Sequence, residues 1–396
     1  MAGALDGVVV LDVSTLVQGP QAGAMLHDLG ADVIKVELPE IGDLGRHIGS
    51  IAEIGISPVF IANNRGKRSI TLDLRVAEGK AVMEKLCESA DVLLSNFKPG
   101  TLEEWGLSYE HLRTINPRLI WAAASFLGPL GEEATREGAD MVGQAYGGLM
   151  SATGSDEHGI GPVGTLIADH CGSQNLTTGI LAALFAREKT GEGQRVDVSL
   201  VGGQIWAQSS EYTHYFHTGE NAGRANGGHP LVHALYGVFE TADGHLAFAG
   251  CPEHLWDGLV EAVEHPELHD NPRFGTYVSS PEIRKELFET FAPIMKERTN
   301  ADWNERLSAA DQRFAPVRSH DQVAADPQVL VNNYIVEVES EQYGKVKMVG
   351  SPISMSGTPT RWGIEVPELG QHTEEVLLES GYDWEQIGAL RDSGAL

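Results

Sequence analysis

Asp169 stands where chemistry could start. It follows the apolar run Thr165 to Ala168 and opens a helical pattern, so its carboxylate meets a helix N-terminus. Two readings compete there. An aspartate before a helix can be an ordinary cap that accepts backbone N–H groups. It can also be held ionised by those groups and the helix dipole, near the ordinary pKa of about 3.9, and act as a nucleophile without a general base. His170 and Cys171 flank it and read as packing or surface residues. A second candidate is Arg65-Gly66-Lys67-Arg68, with Arg75 close behind, in a chain of only 28 Lys and Arg against 56 Asp and Glu. Such a run is either a solvated loop or an anion site whose guanidinium forks and ammonium grip phosphate groups. The loop Asn96-Phe97-Lys98-Pro99-Gly100 would form a second wall.

Other chemistries lose their usual support. Gly159 to Gly164 has dinucleotide-binding spacing, but no strand precedes it, Pro162 interrupts it and no ribose-binding acid follows. Walker A, Cys-x-x-Cys, His-Glu-x-x-His and Gly-x-Ser-x-Gly patterns are absent, so no metal site is expected. Cys87, Cys171 and Cys251 are too scattered for a disulfide framework, which fits a reducing cytoplasm.

The elements that must position these residues alternate as in a parallel sheet wrapped by helices. Gly7 to Val13, Asp32 to Glu37, Ser69 to Leu74, Asp91 to Ser95, Leu119 to Ser125 and Arg195 to Leu200 read as strands. Pro20 to Leu29 and Val76 to Glu88 read as helices, and Leu176, Ile180, Leu181, Leu184 and Phe185 predict another from about 172 to 188. The fold expected is α/β: a Rossmann-like, doubly wound parallel sheet over 1–200, with 340–396 folding back on it. Residues 201–224 are read as a linker, 225–325 as a smaller α+β domain opened by a hairpin, and 326–339 as the return linker.

Hydrophobic residues make up 42% of the 396, enough for a folded core, which sets disorder aside. A net charge of -28 repels a phosphate backbone, so nucleic acid is not an expected partner. No apolar run approaches a bilayer's thickness and no basic region precedes the first one, so neither a membrane partner nor a signal peptide is expected.

Taken in order, several motifs resemble the class III CoA-transferase family, which includes formyl-CoA:oxalate CoA-transferases. They are Leu5 to Asp12, Gly19-Pro20, Leu29 to Glu37, Gly42-Asp43 with Arg46, Lys67 to Leu74, Asn96-Phe97, Pro99-Gly100, Gly106-Leu107, Asn116-Pro117-Arg118, and Ala182 to Ser199 around Arg187. The resemblance covers essentially the whole chain. It implies that Asp169 is the nucleophile and forms an aspartyl-CoA thioester while CoA passes from an acyl-CoA to a carboxylic acid. It implies coenzyme A as co-substrate and no permanently bound cofactor. Val17 and Gln18 would lie near the thioester, Leu72, Asp73, Leu74, Arg75, Asn96, Phe97 and Lys98 along the nucleotide and pantetheine, and Arg136 near a closing segment. It further implies an interlocked homodimer. Leu38 and Glu104 depart from positions where the family can carry arginine, and Gly227-Gly228 is shorter than the glycine run of oxalate-specific members. The rival within the superfamily is a 2-methylacyl-CoA racemase, whose Gly-His-Asp segment is Gly138-Ala139-Asp140 here; alanine transfers no proton. A non-catalytic CoA-binding protein is the third reading.

Overall fold

Alternation along six short strands decides the larger unit. In this computed structural model, which describes residues 2–51, 55–269, 274, 280–363 and 365–396, the strands form one parallel sheet. They are β1 (Val9–Asp12), β2 (Asp32–Glu37), β3 (Arg68–Thr71), β4 (Val92–Ser95), β5 (Ile120–Ser125) and β6 (Arg195–Ser199), in the order β3-β2-β1-β4-β5-β6. Pairing places Val33, Val10, Val92 and Ile120 side by side on one face. The next row, on the opposite face, runs Arg68, Ile34, Leu11, Leu93, Trp121, Arg195, so both edge strands carry an arginine where the inner strands carry apolar residues. Charge at a sheet's edge discourages pairing with another chain.

Each face is covered by its own apolar layer. Val10, Val33, Val92 and Ile120 pack with Ala22 and Leu26 of α1 (Gln18–Asp28) and with Leu176 and Ile180 of the long helix Ile167–Thr190. Leu11, Ile34, Leu93 and Trp121 pack with Val82, Met83 and Leu86 of α2 (Ala77–Cys87), Leu112 of α3 (Tyr109–Ile115), and Val376, Leu377, Ile387 and Leu390 near the C-terminus. The remaining helices that bear on the site are α4 (Asp140–Tyr146), α5 (Ile167–Thr190) and α6 (Leu200–Ala207).

Helix α5 begins five residues before the expected 172, which puts Asp169 inside its first turn. Local periodicity does not show why. The cap comes from Asp140, 29 residues upstream, whose Oδ1 accepts the Asp169 N–H at 3.4 Å and the Ala168 N–H at 2.7 Å.

The chain divides into two units, Met1–Gly147 with Gly164–Ala207 and Pro327–Leu396, and Gly148–Val163 with Gln208–Asp326. Residues 201–224, read from sequence as a linker, hold most of α6 and the helix Ser209–Thr218. The second unit has a three-stranded antiparallel sheet of Phe314–Pro316, His245–Ala249 and Tyr236–Glu240. Phe239, Phe248, Trp256, Phe291 and Trp303 fill its core. Residues 270–273 and 275–279 of the span expected to form the small domain lie outside the described residues. Among the described residues no helix is long and apolar enough to cross a membrane.

Candidate active site

A cavity of about 360 Å³ opens beyond the carboxyl ends of β1, β2, β3 and β4. Open α/β sheets receive ligands there, because loops leaving the strand ends diverge where the strand order reverses. The walls are mostly apolar: Val13, Leu38, Ile41, Leu44, Leu72, Leu74, Phe97 and Trp105, with Asp73 and Arg75 also lining it. Phe97 and Trp105 meet edge to face at 5.3 Å between centroids. Asn96 acts from outside the lining: its side chain accepts the Thr15 N–H at 2.8 Å and donates to the Thr15 carbonyl at 2.7 Å, pinning the loop after β1.

Beneath the cavity lies a buried ionic network that sequence reasoning treated only as motif residues. Lys35, fully buried, pairs with Asp43 at 2.8 Å and donates to the Ser14 carbonyl. Burial alone would lower its pKa, but Asp12, Asp43 and Glu37 outweigh burial and raise it. Glu37 takes a bidentate grip from Arg46, at 2.8 Å and 2.7 Å, and accepts the Asp43 N–H at 2.9 Å. The network ties the 38–47 loop to β2. Three charged residues in a strand buried on both faces were the signal that could have found it.

The expected phosphate cluster is corrected by the same network. Lys67 is fully buried, with Nζ donating to Asp12 at 2.7 Å and to the Asn64 side chain and Pro20 carbonyl, each at 2.8 Å. Burial pulls its ammonium down to about 8, with Lys35 adding to the effect and Asp12 opposing it. Arg65 pairs with Asp28 at 2.7 Å. Arg68 is drawn to Asp32, at the start of β2, and to Glu375 and Glu379. Of the four cations only Arg75 lines the cavity, half-exposed and paired with Asp73 at 2.6 Å. The cations gather in sequence but not in space, because acidic neighbours claim three of them.

Lys98 lines a smaller neighbouring pocket and lies 3.5 Å from Glu137. Arg136 is exposed, 3.2 Å from Glu133 and near the Phe126 and Tyr146 rings, away from the cavity.

Asp169 is half-buried and does not line the cavity. The segment after β1 links the two: Val13, Ser14 and Thr15 wall the cavity, Val17 is buried at the start of α1, and Gln18 lies against α5. A Cβ on Gly172 would come within 2.4 Å of Gln18 Nε2, so glycine alone lets the amide lie one turn beyond Asp169. Ser173 Oγ ties the helices further, donating to the Gln18 carbonyl at 2.6 Å and the Asp169 carbonyl at 2.8 Å. Gln18 Nε2 is buried and has no acceptor among the described residues.

Two expectations for Asp169 fail. Its pKa does not stay in the ordinary range: burial pushes it up to about 7, and Asp140 adds a like charge. The helix-start N–H groups expected to hold its carboxylate are taken: those of Ala168 and Asp169 are donated to Asp140. Asp140, noted in sequence only as the end of Gly138-Ala139-Asp140, was not expected to meet the start of α5. His170 matches its bland reading, its Nδ1 2.7 Å from Gln21 Oε1 with burial lowering its pKa.

Residues 5–373 match the model of CoA-transferase family III. The chain is 34% identical over 386 residues to a succinate–glutarate CoA-transferase from Agrobacterium fabrum, covering 95% of each. It is 35% identical over 390 residues to a succinyl-CoA:mesaconate CoA-transferase from Haloarcula hispanica, covering 96% of this chain and 97% of the relative. A crystal structure of a CAIB/BAIF family protein from Brucella suis superposes with a TM-score of 0.84 at 31% identity, covering 96% of this chain and all of that one.

Proposed function

The chain belongs to CoA-transferase family III, and from that premise we propose that Asp169 carries CoA between two acids as an aspartyl thioester. The chain is a CoA-transferase that moves CoA from an acyl-CoA to a carboxylic acid. The observation that carries the reading of Asp169 is a half-buried carboxylate, one turn from an unpartnered buried amide, on a helix tied to the segment that walls the cavity.

The steps balance without an outside energy source. Ionised Asp169 attacks the donor thioester, forming a mixed anhydride and CoA thiolate. The thiolate attacks the aspartyl carbonyl, giving the aspartyl-CoA thioester and releasing the donor acid. The acceptor carboxylate attacks that thioester, and the freed thiolate then attacks the acceptor carbonyl, forming the new acyl-CoA and regenerating Asp169. Each step exchanges one activated acyl bond for another, so the protein's task is to exclude water and stabilise oxyanions. With the helix N–H groups taken, Gln18 Nε2 is the donor assigned to the oxyanion.

In this reading the cavity takes the nucleotide end of CoA, its base among Leu38, Leu72, Phe97 and Trp105 and its phosphates toward Arg75. Val17 and Gln18 lead to the thioester; Lys98 and Arg136 lie farther out. CoA is a co-substrate, and no resident cofactor is required. Small dicarboxylic acids of the succinate and glutarate kind are the proposed pair, since relatives named for them match across nearly the whole chain. The strand order β3-β2-β1-β4-β5-β6 supports a Rossmann-like, doubly wound sheet. A cytoplasmic, interlocked homodimer is proposed as well; exposed Phe185 and Trp206 on α5 and α6 support a partner surface. Light scattering should return twice the 42.6 kDa chain mass.

The deciding experiment incubates the protein with succinyl-CoA and glutarate, quenches with hydroxylamine or borohydride, and maps the mass change. Modification confined to Asp169, abolished in Asp169→Ala together with transfer, supports the mechanism. Full transfer by Asp169→Ala overturns it.

A further inference from the structure

Asp140 is buried at the first position of α4, and both of its carboxylate oxygens are engaged. Oδ1 accepts the Ala168 N–H at 2.7 Å and the Asp169 N–H at 3.4 Å, and Oδ2 accepts from Gln144 Nε2 at 2.6 Å. Gln144, fully buried, also donates to the Thr165 carbonyl at 3.3 Å, so Asp140 and Gln144 together brace the chain entering α5. The residue preceding α5 is Leu166, which has no side-chain cap to offer. Without Asp140 the first turn around Asp169 would be left with unsatisfied N–H groups.

We propose that Asp140 is a positioning residue for the nucleophile: its carboxylate builds the first turn of α5 around Asp169 and holds a second negative charge against it. A cap of neutral chemistry would satisfy the same N–H groups. An aspartate adds a field that favours the protonated form of its neighbour and makes that neighbour, once ionised, a stronger nucleophile. The other groups facing this turn do not cancel that field. Helix α1 presents Gln18 and Gln21, α6 presents Gln204, and α5 itself carries His170 and Cys171. Among the described residues no Lys or Arg pairs with Asp140 or Asp169. The rise of the Asp169 pKa to about 7, with burial first and Asp140 second among its causes, agrees with this arrangement.

The inference rests on Asp169 being the nucleophile, and its test keeps the two apart. The full-length protein carrying 13C-carboxyl aspartate is titrated by NMR, with the Asp169 signal identified by its loss in Asp169→Asn. In Asp140→Asn, which keeps an oxygen acceptor for the cap but no charge, the Asp169 midpoint is expected to fall to roughly 5–6, and the acid limb of kcat/KM to move with it. The alkaline plateau of kcat should drop by about 3–10-fold as the nucleophile weakens. Asp140→Ser, a second capping residue without charge, should show the same midpoint, so failure of one variant to fold does not block the test. A midpoint unchanged in the variants, with only thermal stability altered, overturns the proposal and leaves Asp140 a cap alone. The native protein's hydroxylamine modification judges Asp169 as nucleophile separately, because the NMR midpoint needs no turnover.

Discussion

Asp169 binds its proton more tightly in the folded protein than in the unfolded chain, where its pKa is the ordinary 3.8 rather than about 7. Between those values the native state holds the extra proton, so this carboxylate favours folding below the window and opposes it as pH rises through about 7. Asp169→Asn cannot ionise. At pH 8 it should resist denaturant better than the native protein by up to about 4 kcal/mol, with the advantage fading to nothing near pH 4, while transfer falls by about 10³-fold or more. Urea titrations at the two pH values check this; an offset that does not change with pH would show that no strained carboxylate is present. The cations divide in a way that can be measured too. Lys67→Met leaves Asp12 buried beside Lys35 alone and should cost about 3–5 kcal/mol. Arg75→Ala removes a half-exposed partner of Asp73 and should change stability by less than about 0.5 kcal/mol, yet raise KM for acyl-CoA by about 5–20-fold. If Arg75→Ala leaves KM untouched, the phosphates lie elsewhere.

At the scale of elements, the contact between α1 and α5 connects the segment that walls the cavity to the helix carrying Asp169, and it depends on Gly172. A methyl group there meets Gln18 Nε2 at 2.4 Å, so Gly172→Ala must push the amide away or part the helices. The expected result is a destabilisation of about 1–3 kcal/mol and at least a 10-fold lower kcat, with KM for the acyl-CoA changed less. Steady-state kinetics beside a thermal melt would show it, and a variant with native kcat would remove Gln18 from the reaction. The inner strands were legible in sequence because short, largely apolar stretches bounded by turn residues mark them: Asp32–Glu37 appears as read, and the others, edge strands included, shift by one to three residues at their ends. What was not legible arises from pairing across distance. The start of α5 depends on Asp140, which no local window contains. The basic run read as a phosphate site because Asp12, Asp28 and Asp32, which claim its side chains, lie 36 or more residues away in sequence. Several motif residues that carried the family resemblance are scaffold. Asn116 donates to the Cys87 and Ala90 carbonyls, and Arg187 pairs with Asp91, so these residues hold the fold together and do not face the cavity.

Charge sets the behaviour of the whole molecule toward its substrate. The protein carries a net -28, and CoA arrives with its own phosphates, so at low ionic strength the long-range field opposes encounter. The cavity does little to reverse this: its lining has two cations, Lys35 and Arg75, against the carboxylates of Glu37, Asp43 and Asp73. Lys35 is moreover fully buried and committed to Asp43. Salt therefore acts in two directions. It shortens the range of the repulsion from about 30 Å at 0.01 M to about 3 Å at 1 M, and it would weaken the proposed contact of Arg75 with phosphate. The first effect involves the whole net charge and the second a single exposed guanidinium, so repulsion should dominate. We expect kcat/KM for succinyl-CoA to rise about 2–5-fold between roughly 0.01 and 0.5 M NaCl, with the change carried by KM. In Arg75→Ala only the repulsion remains, and the rise should become steeper. Initial rates across a salt series in both proteins decide the matter. A fall in kcat/KM with salt in the native protein would mean that a local group of cations, assembled when CoA binds, outweighs the body's charge.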